Sequence, residues 1–479
     1  MNKAISTSGE SLEHGRSIVF RNGLVLTMDD AHRILKECDV LVVGGVIKEV
    51  GPNLKAPDDA LAIDARGGIL MPGMIDTHRH MWQTAMRAYG ADWTLSQYFV
   101  WYYLEHGKHF RPQDIFAGNL LSAIEAVDAG VTTSVDWSHG LQTVDHADAA
   151  VDAFELVPAR FILAYGNIQR APWEWTADKE FKDFYHRRMA DKGDMLGFQI
   201  AFDVVAGPEF PERAAFEVAR ELGVNVNTHA GVLGANGDDS IRLMHEGGFM
   251  TSDTCLVHCS TLSDDSYHRI AASGCSVSVS TESEQSAGQG YPSSWKLRQF
   301  DIPMSLSNDT SVWWSADLFT AMRSTLGADR SRQHFEAHQK GETVTQLDLR
   351  SEEVIDWATR GGSKALGLDA KVGSIEVGKR ADIVLIKNDD SPVMFPIVNP
   401  YGHVAMQAQR ADVHTVVIDG NIVKHEHRLI NIDLEKARGS VEETVSFLEG
   451  TIGEEAWTSG MHPDLPAKKE IENPYHYNK

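Results

Sequence analysis

Four histidines and one aspartate in this chain could hold a divalent metal ion between them: His78 and His80 in "GMIDTHRH", His229 in "VNVNTHAG", His258 in "CLVHCS" and Asp309 in "IPMSLSND". Each stands at the end of a short apolar or β-branched run that reads as a strand. His78 and His80 are two residues apart, so on an extended chain both rings leave from the same side. Nitrogen and oxygen donors without thiolate suit zinc, iron, manganese, cobalt or nickel. Any one such histidine alone is more often a hydrogen-bonded structural residue. All five at equivalent strand ends are hard to reach by chance, and they predict a metal site with a spare base beside it.

Residues so distant in sequence need a scaffold that gathers strand ends at one mouth. Between 71 and 365 the chain alternates strands with helical stretches, and eight strands can be read: the five-residue set just quoted supplies four, and "GVTTSVDWSH", "RFILAYG", "GFQIAFDVV" and "CSVSVST" supply the rest. Helical segments such as "PQDIFAGNLLSAIEAVDAG" lie between them, with Pro near the start and Gly at the end. This is the pattern of an α/β protein built on a (β/α)8 TIM barrel, a fold that does its chemistry at the C-terminal ends of its strands. Residues 1–70 and 366–430 carry hairpin signals instead, Asn-Gly and Gly-Gly steps flanked by Val, Ile and Leu. They predict one small β-sandwich assembled from both ends. Residues 431–479 read as an amphipathic helix and a polar tail.

A formal net charge of -24 disfavours nucleic acid and anionic membrane surfaces as partners and points to a small-molecule substrate. No apolar run is long enough to span a membrane, and the opening "MNKAISTSGESLEHG" has no hydrophobic signal core. Cys38, Cys255, Cys259 and Cys275 are widely spaced and mostly lie in strand-like runs, so buried thiols in a reducing cytoplasm are expected rather than disulfides.

The chain resembles the amidohydrolase superfamily, in particular its cytosine deaminase and chlorohydrolase-like branch. The resemblance rests on "MPGMIDTHRH", "GVTTSVD", His229, His258, "SLSND" and the closing "ATRGGSKALGLDAKVGSIEVGKRADIVLI". It implies that His78, His80, His229 and Asp309 surround a catalytic metal that activates water, and that His258 and Asp309 move protons. The chemistry is consistent: a bound divalent ion brings the pKa of water toward neutrality, Asp309 can accept its proton, and His258 can polarise the substrate. Zinc is the expected ion, with iron, cobalt or manganese as alternatives. Barrels of this kind often pair, so a homodimer or larger homo-oligomer is expected.

Two departures from the family pattern carry information. Binuclear members bridge two metals with a carboxylated lysine on the fourth strand; "GFQIAFDVVAG" has none, and neither Gln199 nor Asp203 can form that carbamate, so one metal is expected. Deaminases of this branch usually carry His-x-x-Glu after the fifth strand, but this chain reads "HAGV", with Val232 in the glutamate's place. Expelling ammonia from a ring carbon without that acid is difficult. Hydrolysis of an amide, urea or carbamate-type C–N bond is therefore preferred, with deamination or dechlorination of a nitrogen heterocycle as the alternative. In "STESEQSAGQGYP", Glu284 is a candidate compensating acid, with Glu282 just before it.

Tryptophans crowd the segments where barrel loops should lie, among them Trp82, Trp93, Trp101, Trp137, Trp173, Trp175, Trp295, Trp313 and Trp314. Together they predict a large apolar pocket, with Trp93, Trp137 and Trp313 against the substrate and Gln83 and His139 as its polar contacts. The expected substrate is neutral, apolar, and aromatic or heterocyclic. Phenylurea and thiocarbamate hydrolases are the analogues the resemblance suggests. A non-catalytic scaffold is disfavoured because the whole ligand set is present.

Overall fold

The computed structural model describes residues 15–190, 192–205, 207–232 and 236–465. The opening stretch 1–14 and the polar end beyond 465, both read above, lie outside the described residues.

All eight expected barrel strands form: Met74–Arg79, Val131–Ser138, Arg160–Tyr165, Leu196–Ala201, Asn225–Ala230, Thr254–His258, Ser276–Val279 and Met304–Leu306. They pair in parallel in chain order. Most are buried along their whole length, as expected of strands covered by helices on one face and packed inward on the other. The eighth strand meets the first through a bridge between Arg79 and Asp309. There the Asp309 N–H donates to His78 O at 3.0 Å and His80 N–H donates to Asp309 O at 2.7 Å. Inside the barrel, buried hydroxyls pair with one another beneath the site. Thr77 Oγ1 lies 2.7 Å from both Ser278 Oγ and Ser305 Oγ, and Ser280 Oγ lies 2.7 Å from Ser307 Oγ. Each of these five hydroxyls thereby finds a partner.

The β domain is drawn from both chain ends. Its strands run in one continuous nine-stranded mixed sheet rather than in two separately bonded layers. The join is antiparallel: Ile69–Pro72 pairs with Ile383–Ile386, so an N-terminal strand runs through the expected 70/71 division before the barrel begins. The sheet rolls until the hairpin at Gly44–Gly45 touches the turn at Asp419–Gly420. A Cβ on Gly420 would stand 2.2 Å from Gly45 Cα, a contact only glycine permits. The domain packs around its own apolar cluster, which includes Phe20, Val40, Leu70, Ile383 and Val417.

Arg160, at the start of the third barrel strand, ties the barrel floor to this domain. Its guanidinium bonds the Asp382 carboxylate, and both side chains are almost fully buried. Asp382 also accepts from the Asp419 N–H at 3.0 Å.

The C-terminal helix Leu434–Ile452 lies along Pro112–Asp128, with Arg111 stacked over the Phe447 ring at 3.4 Å. A last short helix, Glu454–Gly460, caps the aromatic segment after the first barrel strand. There the Trp457 and Gly460 carbonyls accept from Tyr89 Oη at 2.5 Å and Trp93 Nε1 at 3.0 Å. All four cysteines are buried and free, as expected. No helix among the described residues is long and apolar enough to cross a membrane.

Removing one member of a buried ion pair strands the other charge, at a cost of about 3–5 kcal/mol. Asp382→Ala should lower unfolding stability on that scale in a denaturant titration; a loss below about 1 kcal/mol would show that the pair does not hold the two domains together.

Candidate metal centre and active site

The strand ends bring the five expected residues into one cluster. His78 lies in the first strand and His80 directly follows it; their rings are 4.7 Å apart at nearly a right angle. His229 stands across from them, its ring 5.0 Å from that of His78, and His258 stacks on His229 at 5.6 Å. Asp309 Oδ1 lies 3.4 Å from His78 Nε2 and 3.2 Å from His80 Nε2. Two overlapping ligand sets result, His78–His80–Asp309 and His78–His229–His258, each with its donor atoms within 4.8 Å of one another.

The backbone is forced into place to achieve this. Asp309 (φ 60°), His258 (φ 72°) and Cys259 (φ 55°) all take the left-handed conformation, which costs a non-glycine residue about 1–3 kcal/mol. For Asp309 that cost is met by the two backbone bonds that close the barrel.

Hydrogen bonds behind the cluster decide which ring nitrogen faces inward. His80 Nδ1 lies 2.8 Å from the Trp137 carbonyl, which can only accept, so its Nε2 carries the lone pair. His229 Nδ1 donates to Asp203 Oδ1 at 2.9 Å, and its Nε2 is freed in the same way. His258 Nδ1 donates to Glu284 Oε1 at 3.2 Å. Asp309 turns Oδ1 toward the histidines, while Oδ2 is held by the Ser283 hydroxyl and by Gln289 Nε2 at 3.2 Å. Ser283 in turn accepts from Trp313 Nε1 at 2.9 Å.

His78 is fully buried and neither of its ring nitrogens has a hydrogen-bond partner among the described residues. A buried polar atom left in that state costs about 1–3 kcal/mol unless a ligand satisfies it. Burial, resisted by the Asp309 carboxylate, holds the His78 pKa well below the usual imidazole range, so the ring stays neutral with a lone pair to offer. Burial alone would raise Asp309, but the close approach of the His78 and His80 rings outweighs it and holds the carboxyl well below its usual range. Neutral imidazoles around a fixed carboxylate are the donor set a divalent cation requires.

The cluster floors a cavity walled by Leu95, Tyr98, Phe99, Tyr103, Val232 and Trp313, with Asp203, Asn236 and Gln289 as polar points. The aromatic stretch after the first strand thus covers the pocket: Leu95–Tyr98 and Phe99–Glu105 form its roof. Tyr98 and Tyr103 are buried deeply enough to raise their pKa well above the usual phenol range.

Of the expected substrate contacts, Trp313 lines this cavity, whereas Trp137 does not; it packs on His229 at 4.3 Å between ring centres and lines a neighbouring recess. Three further expectations are corrected. Gln83 does not reach the cavity; it lies behind Tyr98, donating to its hydroxyl at 2.7 Å and accepting from Thr310 at 2.8 Å. Trp93 points away, because its indole N–H is taken by Gly460 of the C-terminal cap. His139 sits one layer back, its Nε2 3.2 Å from Tyr98 Oη, on a neighbouring recess of about 850 Å³ that shares Tyr103 and Asp203 with the cavity. Glu284 is also displaced from its expected position. It is fully buried behind His258, where the Ser280 N–H also donates to it at 2.9 Å. It can steady His258 but does not face the cavity as an acid. Glu282 is farther still, accepting from Ser315 Oγ at 3.1 Å.

Tyr98, Tyr103, Asp203, Asn236, Ser283 and Gln289 were missed as site residues. Asp203 alone left a usable signal, a carboxylate just past the fourth strand, where the barrel mouth lies.

The amidohydrolase family profile matches residues 69–423. The chain belongs to the amidohydrolase family. As an amidohydrolase it is a metal-dependent hydrolase acting on C–N bonds, and its His/Asp cluster is the place for a divalent metal. Among similar sequences are a 5'-deoxyadenosine deaminase of Methanosarcina mazei, 26% identical over 90% of this chain and 98% of the relative, and a 5-methylthioadenosine/S-adenosylhomocysteine deaminase of Pyrococcus furiosus, 26% identical over 88% and 98%. Among solved structures, the triazine hydrolase of Arthrobacter aurescens superposes with a TM-score of 0.77 at 21% identity, covering 90% of this chain and 99% of that one. An adenosine deaminase of Xanthomonas campestris with bound zinc gives 0.75 at 20% identity, over 91% and 99%. These structures share this amidohydrolase's fold.

Carboxylates that orient a metal-binding histidine are worth about 10–100-fold in metal affinity. Asp203→Ala should weaken binding by that factor in a chelator competition, and an unchanged affinity would mean that His229 needs no such support. A second test concerns Glu282, which burial pushes up to about 8 from its ordinary 4.5. The folded chain holds that proton through a window in which the unfolded chain has lost it, so this group removes stability as pH rises. Glu282→Gln should melt at a higher temperature than the wild type, by a margin that widens from about pH 5 to about pH 8. A margin that stays flat or narrows would refute the shift.

Proposed function

We propose that this amidohydrolase binds one zinc ion and hydrolyses an exocyclic amide, urea or carbamate-type C–N bond in a small, neutral, aromatic or heterocyclic compound. The observation that carries this reading is the Val232 side chain in the cavity wall, beside metal-ligand candidates that are otherwise complete. His78, His80, His229 and Asp309 would hold the ion, and no lysine stands on the fourth strand to bridge a second. When bound, such an ion lowers the pKa of a water toward neutrality and draws charge from a carbonyl.

The chain's own groups do the rest. Asp309 Oδ1, fixed by the bonds on Oδ2, accepts the proton of the attacking water. His258, its Nδ1–H held by Glu284, presents Nε2 to the cavity, takes over the proton that Asp309 accepted and passes it to the leaving nitrogen. The Glu284 carboxylate balances the charge this brings, much as a third member orients the base in a hydrolytic triad. Tyr98, Phe99, Tyr103 and Trp313 exclude bulk water and stack on the ring.

A second reading, deamination of a nitrogen heterocycle, is favoured by the relatives named as deaminases. One screen separates the two. Zinc-loaded protein is given N-aryl amides, ureas and carbamates beside aminopyrimidines, pterins and adenosine derivatives, and amine and ammonia release are both followed. Turnover in the first group supports the proposal; ammonia from the second group alone overturns it. On any substrate found, His258→Asn should lower kcat about 10²–10⁴-fold, and a smaller loss would remove His258 from proton transfer.

A further inference from the structure

Two side-chain amides reach the cavity with their carbonyl oxygens free. Gln289 and Asn236 are both nearly fully buried and both line the cavity, and Gln289 Oε1 and Asn236 Oδ1 have no hydrogen-bond partner among the described residues. The orientation of each amide follows from what its nitrogen touches. Gln289 Nε2 is 3.2 Å from Asp309 Oδ2, and Asn236 Nδ2 is 3.0 Å from the His229 carbonyl. A carboxylate and a backbone carbonyl can only accept, so neither amide can be turned over without setting two acceptors against each other.

The backbone reinforces this. Gly288, in the left-handed conformation at φ 76°, ends the helix Thr281–Ala287, and the Gln289 N–H bonds back to Glu284 O at 3.2 Å. Gly290 passes so close to Ser260 that a Cβ there would stand 2.5 Å from the serine Cβ. Gln289 is thus held between two positive-φ glycines in the cavity wall, with its NH2 on a metal-ligand candidate and its oxygen unpartnered.

We propose that Gln289, assisted by Asn236, makes this site selective for substrates that carry N–H groups next to the reacting carbon, as amides, ureas and lactams do. The inference rests on the proposed C–N hydrolysis and narrows its substrate class. An N–H directed at either oxygen satisfies a buried acceptor, whereas a pyridine-type ring nitrogen would place its lone pair against one. Val232 adds no donor to rescue such a nitrogen. Gln289 therefore acts as a fixed acceptor and never as an acid, and selection is made by what the substrate can donate.

Matched compounds that differ only in N–H groups test this by calorimetry on the zinc-loaded full chain: phenylurea against its fully N-methylated form, and uracil against 1,3-dimethyluracil. In the wild type at least one N–H member should bind about tenfold tighter than its methylated partner, or about 1.4 kcal/mol. Gln289→Met keeps the length of the side chain and removes its acceptor. It should reduce that ratio to near one by weakening the N–H member, read on protein whose folding and full zinc loading are established beforehand. Asn236→Leu should reduce the ratio in part, and it decides the matter if the first variant does not fold. Equal affinities in the wild type, no binding by either N–H compound, or a ratio that survives both substitutions overturns the proposal. Binding is read without turnover. A chain that shows the preference but cleaves nothing fails only the proposed function, and one that cleaves N-aryl amides regardless of residue 289 fails only this inference.

Discussion

Closing the barrel and building the metal centre are the same event. The eighth strand reaches the first through Asp309, whose N–H and C=O are taken by His78 and His80. That pairing forces Asp309 into a left-handed conformation and directs its carboxylate between the two imidazoles. A strained residue of this kind persists only where its surroundings over-determine it. Here the surroundings are the last hydrogen bonds of an eight-stranded cylinder, so the ligand geometry cannot relax without opening the fold.

Around that clamp, each reactive atom is aimed by a neighbouring group outside the expected ligand set. The Trp137 carbonyl sets His80, Asp203 sets His229, Glu284 sets His258, and Ser283 with Gln289 sets Asp309. The neutral state of His78 has a different origin, namely burial without a partner. A site prepared in this way needs little reorganisation when a cation and a substrate arrive, which is where much catalytic power originates.

Much of this was legible from residue order alone. Barrel strands have a short, apolar, β-branched signature, and a polar residue at the end of one must face the mouth; this is why His78, His80, His229, His258 and Asp309 could be placed without coordinates. Loop residues obey no such rule. Gln83 and Trp93 lie on the same post-strand segment as the pocket-lining Tyr98, and only tertiary partners distinguish them: Thr310 captures Gln83, and the C-terminal cap captures Trp93. That cap is more than three hundred and sixty residues away in sequence, and no local pattern announces it. Gln289 was illegible for a further reason. Its role depends on an amide nitrogen meeting Asp309, a contact set by the two positive-φ glycines beside it.

The same reasoning bears on what Val232 does. In the family pattern a glutamate at that position can give and take protons at the substrate. Here the wall at residue 232 is apolar, and the neighbouring polar points, Asn236 and Gln289, carry buried, unpartnered carbonyl oxygens that accept only. The carboxylates nearby are committed elsewhere: Asp203 to His229, Asp309 to the histidine pair, Glu284 to His258. In the proposed reaction, proton traffic to the leaving group is left to His258, the one cavity-lining imidazole outside the expected four-ligand set. A single histidine relay suits a leaving amine attached to a carbonyl carbon, where the nitrogen's own basicity rises as the bond breaks. It suits a ring amidine poorly, since there the ring nitrogen must be protonated before attack. The loss of one carboxylate at residue 232 and the gain of a fixed acceptor at residue 289 therefore push the chemistry in the same direction.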